Sequence, residues 1–387
     1  MNENNRILNF SSIFTFAFVI APILSAYSIW GLFDLGTLLV IISSIPVILY
    51  RGRLNLSSPK YYFWFVIIAI LIALLINGTL PQRLLLYTVS LVLGCSLIDY
   101  KKALKYYHIL VIVSCTFFLL QEFMFALVGY RVSGIFNFLP TIYGDMSADI
   151  INGSRFSDRS SSFFLEPSFF VQYLFPYVAL NLFDKKGLYR AIGVSLIILL
   201  SKSGNGVLLL ILMWSIWFLF SSNIKGKNKL IVVFLTICFL SGVMYFKSDI
   251  FDSLIARTSE LSISGKNDAF LSSGFMRIYR GYFLFSELTL PEKFLGASPA
   301  LVSTLIENNR MFYTGDTFLN GVQQILLYHG YLGLCLYVMH LFALSRPSTF
   351  SKVIITCIFL LLLTEAYFLS PRMLLVVVLL YKYNITN

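Results

Sequence analysis

Two arginine pairs and a few carboxylates are the groups in this sequence best suited to handling a charged leaving group. Arg277 and Arg280 are three residues apart, about one helical turn, and Arg155 and Arg159 are four apart in a run that ends at Glu166-Pro167. Two planar guanidinium groups so placed could clamp a phosphate. The same spacing suits an interfacial helix whose arginines meet lipid headgroups. Glu166 is open to two readings as well. A carboxylate beside a proline fits the first turn of a helix, and a carboxylate at the mouth of a helix bundle can accept a proton from a hydroxyl.

Three further ionisable residues, Glu122, Lys202 and Glu365, fall in or beside apolar runs, where a charge is expensive and normally faces a polar interior. All three map to the outer half of the spans assigned below, the pattern of a fixed polar cavity open to the outside. A transporter more often keeps its charges near the midplane. HExxH, P-loop, GxSxG and DxD motifs are absent, and the three histidines, His108, His329 and His340, have no ligand spacing. The five cysteines, at 95, 115, 238, 335 and 357, lie inside apolar runs and read as small buried residues. An enzyme built from these parts would work without nucleotide or metal, on a donor already activated.

The elements that would position these groups are membrane helices. Of 387 residues, 58% are hydrophobic and only 12% charged, with a mean hydropathy of +0.81, far from the usual balance of soluble domains. The net charge of +11 would point to nucleic acid in a soluble protein. In a membrane protein, cations must first be sorted by side of the bilayer. A crossing helix needs roughly 20 apolar residues. Twelve segments qualify: 11–30, 32–50, 61–76, 84–98, 108–129, 167–183, 188–200, 206–220, 230–246, 317–344, 353–370 and 373–381. The seventh and twelfth are short, which leaves eleven as the lower count. The expected fold is therefore all-α, a single polytopic membrane helix bundle over residues 1–387.

With the first residues cytoplasmic, sixteen of the 29 cations fall on the inner side. Only Arg83, Lys202 and Arg372 fall in short outer turns. This bias places both ends in the cytoplasm. The other ten cations lie in two long outer segments, 130–166 and 247–316, too long to be simple turns. In the second, Phe275, Ile278, Tyr282, Phe285 and Leu288 recur at helical spacing. Ser272 or Ser273 could cap this helix and Pro291 lies beyond its end. It would lie on the membrane surface or over the bundle, with Arg277 and Arg280 on a neighbouring face.

The second outer segment, the Arg277 region and the run from Asp316 through Asn320 to Gly330 and Gly333 resemble the closing part of Wzy-type O-antigen polymerases and the related O-antigen ligases. The run from Arg159 to Pro167 is similar to the entry into the helix after their first long periplasmic loop. Many ligase-like members place a histidine directly before the asparagine; here that residue is Leu319, which favours the polymerase. The resemblance implies transfer of a growing glycan from undecaprenyl pyrophosphate to the next lipid-linked repeat unit, at the periplasmic face of the inner membrane. It implies an arginine clamp on the pyrophosphate drawn from Arg277, Arg280, Arg159, Arg155 and Arg310, and a base drawn from Glu166 and Asp316. Asn320, Lys202 and Tyr279 would contact substrate. No metal or cofactor is implied. The partners would be the lipid-linked glycan and membrane lipid, with a chain-length regulator protein as a candidate and no nucleic acid. The alternatives are an O-antigen ligase acting on a lipid A core and a non-enzymatic flippase or exporter. The 70 residues of the second outer segment argue against an exporter.

Overall fold

The computed structural model describes residues 3–29, 33–51, 59–78, 80–136, 138–142, 159–184, 186–220, 273–309 and 318–386. Among these the chain is all-α, with fourteen helices. They are α1 (Glu3–Leu24), α2 (Leu35–Arg51), α3 (Lys60–Asn77), α4 (Gln82–Leu97), α5 (Tyr100–Val128), α6 (Pro167–Phe183), α7 (Leu188–Leu200), α8 (Gly204–Phe220), α9 (Ser273–Glu287), α10 (Leu290–Leu295), α11 (Pro299–Asn308), α12 (Gly321–Ser345), α13 (Thr349–Thr364) and α14 (Pro371–Thr386). Helices stand at eleven of the twelve apolar segments, and the ninth, 230–246, lies outside the described residues. Two of the described helices, α5 and α12, are long and apolar enough to cross a membrane, and seven shorter apolar helices accompany them.

Several helix ends differ from the hydropathy boundaries, each for a local reason. The first apolar run continues to residue 30, but α1 stops at Leu24 and Ser28–Ile29 pairs with Phe33–Asp34 in a two-strand hairpin. Asp34 then starts α2 by accepting the Thr37 amide and hydroxyl, both at 2.7 Å. At the other end of the chain, α14 runs well beyond the nine-residue apolar core at 373–381. Asn384 extends it by accepting the Ser351 hydroxyl at 2.7 Å and donating to the Leu344 carbonyl at 2.9 Å. Hydropathy is blind to such a polar lock. The segment at 317–344 is one apolar run, yet α12 begins only at Gly321 and breaks at Gly330, whose φ is 64° and ψ −168°. Only glycine takes that conformation without strain.

The chain divides into two compact units. One comprises Met1–Val113, Ile135–Ser154 and Arg277–Asn387. At its centre is α14, buried on every side from Arg372 to Leu380, as expected for a helix apolar all round. Here α12 packs on α3, α10 and α13, and α4 packs on α2 and α14. His329 and His340 of α12 sit in an aromatic cluster, edge-on to Phe65 at 5.3 Å and Tyr62 at 5.2 Å, which is a packing role.

The other unit comprises Ser114–Gly134 and Arg155–Met276. In it α6 is buried over most of its surface and packs on α7 and α8. A Cβ at Gly206 would lie 2.8 Å from Ile198 and 3.1 Å from Val171, so the missing side chain lets these three helices meet closely.

Cys95 and Cys357 are buried as expected, but Cys335 is exposed on α12, because it lies on the face that α12 turns away from its partners. Cys238 lies outside the described residues.

Candidate functional site

In the first unit the candidate residues gather where α9, α12 and α13 meet. The C-terminal part of the expected stripe on α9 is seen: Phe285 and Leu288 are buried, together with Leu284, against Val302 of α11 and Leu326 and Leu327 of α12, and Tyr282 packs against them. Ile278 is only partly buried, and the side chain of Phe275 lies outside the described residues. Burial there pushes the Tyr282 phenol above its ordinary range. The helix therefore turns its apolar face to the protein, and Pro291 falls inside the next helix, α10.

Arg280 does not lie on an open neighbouring face. It is 1% exposed, and its Nη2 donates to the Phe318 carbonyl at 2.8 Å. So buried a guanidinium is out of reach of lipid headgroups. It anchors the approach to Asn320 and fixes the face of α9 on which it stands. Arg277, one turn earlier, is placed by its backbone in α9. Tyr279 is partly exposed on the same helix.

Asn320 is fully buried and caps α12. Its Oδ1 accepts the Gln323 amide at 2.9 Å, and Gln323 Oε1 accepts the Asn320 amide at 3.0 Å, a reciprocal capping box. The same two side chains stitch three elements together: Asn320 Nδ2 donates to the Leu363 carbonyl at 2.8 Å and Gln323 Nε2 to the Ile278 carbonyl at 2.9 Å. The Gly321 amide donates to the Glu365 carbonyl at 2.8 Å. Free donors at the start of α12 are thus satisfied by free acceptors at the end of α13. Asn320 has a structural duty that the spacing Asn-x-x-Gln already encodes. Glu365 itself is the C-cap of α13, 2% exposed. The apolar run reached residue 370, but the helix ends one residue before this carboxylate.

In the second unit a polar knot ties both ends of the 130–166 segment to the end of α5. The Ser160 hydroxyl donates to Glu122 Oε1 at 2.6 Å and accepts from Arg131 Nε at 3.2 Å. Arg131 also lies 3.5 Å from Glu122 Oε1, and its guanidinium stacks over Phe125. One residue earlier, Gln121 donates to the Val132 carbonyl at 2.8 Å and accepts the Ser162 amide at 2.9 Å. Arg131 was not among the sequence candidates. A cation three residues past an apolar helix that carries Glu122 was the available signal.

Arg159 and Glu166 flank the pinned turn at 160–165 and are both partly exposed. Glu166 occupies the N-cap position of α6, yet its side chain accepts no backbone amide of the helix. Its Oε2 accepts the Ser168 hydroxyl at 3.1 Å instead. Lys202 has φ of 52° in the tight turn between α7 and α8. Arg155, Arg310 and Asp316 lie outside the described residues. Among the described residues no cluster of three His, Cys, Asp or Glu side chains could hold a metal ion.

Comparison with family models, with curated proteins and with solved structures gives no match for this chain.

Proposed function

We propose that this chain is a multi-pass inner-membrane glycosyltransferase of the Wzy polymerase type, with about twelve crossings, both ends in the cytoplasm and its site on the periplasmic face. The donor is a glycan on undecaprenyl pyrophosphate and the acceptor is the terminal sugar of the next lipid-linked repeat unit. The acceptor hydroxyl loses its proton to Glu166 as its oxygen bonds the donor's anomeric carbon. The bond from that carbon to the pyrophosphate oxygen breaks, and the pyrophosphate leaves with the electron pair. Arginine, led by Arg277 with Arg159, Arg155 and Arg310 as further candidates, meets the growing charge without a metal. Asp316 is the alternative base. A chain-length regulator protein is a candidate partner.

The observation that carries this proposal is Glu166. A carboxylate at a helix start is normally explained by capping, and here the capping bond is not made, so the group remains available as a base. Two others support it. Leu319, where ligase-like members carry histidine, is buried in the apolar cluster around Leu326, which favours polymerase over ligase. The second outer segment also builds α9, α10 and α11 against α12, more structure than an exporter's outer turn needs.

Membrane embedding is supported by α5, whose most apolar stretch is only 28% buried. It is also supported by α3, where Trp64, Ile67, Leu71 and Leu75 are exposed along one side.

The test is a gel of surface lipopolysaccharide from a strain lacking the gene, beside the complemented strain. A core bearing a single repeat unit, with the ladder restored on complementation, is the expected result. Loss of all glycan from the core, with lipid-linked polymer accumulating, would assign a ligase. An unchanged ladder would remove the chain from this pathway.

A further inference from the structure

Beside the break in α12, the short helix α10 carries two large apolar side chains that stand largely exposed. Leu290 is 83% exposed and Phe294, one turn on, is 56% exposed. The helix that bears them is held firmly. Glu292 Oε2 accepts the Thr289 amide at 2.8 Å and the Thr289 hydroxyl at 2.7 Å, which holds its carboxyl below the usual range. Lys293 Nζ donates to the Ser286 carbonyl at 2.7 Å, and the Ala297 amide donates to the Leu327 carbonyl at 2.7 Å. At the break itself a Cβ on Gly330 would lie 2.4 Å from the Phe294 carbonyl oxygen. The level of α10 along α12 is therefore set at Gly330.

Below that level α12 exposes Tyr331, Cys335, Met339 and Phe342, whose spacings of four, four and three keep them on one helix face. From Gly330 the helix continues through Ser345 to Arg346. Those 16 residues rise about 24 Å at 1.5 Å each. The hydrocarbon core is about 30 Å thick. With Arg346 at the inner boundary, the last ~6 Å of hydrocarbon lies beyond Gly330, at the level of α10. Apolar side chains exposed at that depth meet acyl chains, and Lys293 beside them suits the phosphate layer.

We infer that α10 is a membrane anchor: Leu290 and Phe294 enter the outer edge of the hydrocarbon and hold the α9–α11 segment at the bilayer surface. This rests on the membrane placement proposed above and not on the glycan chemistry.

The test places a genetically encoded fluorescent amino acid singly at 290, at 294 and at exposed Glu307, in the full-length chain reconstituted in phosphatidylcholine vesicles. Brominated phosphatidylcholine should quench positions 290 and 294 and spare 307, and aqueous iodide should do the reverse. Iodide quenching at 290 and 294 equal to that at 307 would overturn the anchor. So would resistance of both positions to both quenchers, which would mean a protein surface covers them. Either position reports alone if the other variant fails to accumulate. A chain that does not float with the vesicles would overturn the membrane placement itself, whereas one that floats without lipid quenching overturns the anchor only.

Discussion

At a helix start a carboxylate usually accepts backbone amides and is chemically occupied, so the uncapped Glu166 is the residue on which a proton-transfer role can be tested directly. Glu166→Gln keeps the hydrogen bond from Ser168 and removes the basic oxygen. Chain extension should fall by about 10²–10⁴-fold while the protein accumulates normally; retained extension would shift the base to Asp316. The two arginines of α9 should separate in the same way. Arg280→Ala deletes a buried, charge-assisted bond to Phe318, worth about 1.5–3 kcal/mol, and should lower thermal stability as well as extension. Arg277→Ala should abolish extension with an unchanged melting temperature in detergent. Loss of the Arg277→Ala protein itself would give that residue a folding role.

The elements are joined at their ends, and there the backbone leaves little latitude. Gly330 combines a positive φ with a Phe294 carbonyl where a side chain would go. Gly330→Ala should destabilise by at least about 1–3 kcal/mol, seen as a lower melting temperature. An unchanged melt would mean that α12 can straighten through the break. Asn320→Ala removes the α12 cap and strips the Leu363 carbonyl of its donor. A loss of about 1 kcal/mol or more is expected, and Asn320→Asp should recover only the capping part. Were Asn320→Ala to leave stability intact and weaken only glycan transfer, its duty would lie with substrate and not with the fold.

For the whole molecule, topology is the decisive property, because the proposed chemistry is confined to one side of the bilayer. A reporter fused after Asn308 should be active as a periplasmic phosphatase and dark as a cytoplasmic fluorophore. The same reporters fused after Thr386 should behave in the opposite sense. Equal behaviour at both points would break the assignment of an outer α9–α11 segment and an inner chain end. Under the proposed topology a reporter in the 130–166 segment should also be active on the periplasmic side, and a cytoplasmic signal there would break the assignment of that segment.

Helix positions were legible in the sequence because burial or lipid exposure of a helix demands long apolar runs, and those runs are local. The C-terminal part of the amphipathic stripe of α9 was legible because its spacing is local too, whereas Asn320, expected to contact substrate, turns out to cap α12 through the equally local Asn-x-x-Gln spacing. Tertiary structure alone decided which side of α9 holds Arg280, that Glu166 makes no cap, that Arg131 pairs with Glu122, and that α12 breaks against Phe294. Most of these depend on a partner distant in sequence: a carbonyl 38 residues from Arg280, a Ser160 hydroxyl 38 residues from Glu122 that joins the pair with Arg131, and a backbone oxygen from the neighbouring short helix against Gly330. Hydropathy sums over neighbours along the chain, whereas a hydrogen bond or a close approach is made across space, so the apolar elements could be read directly and the polar site could not.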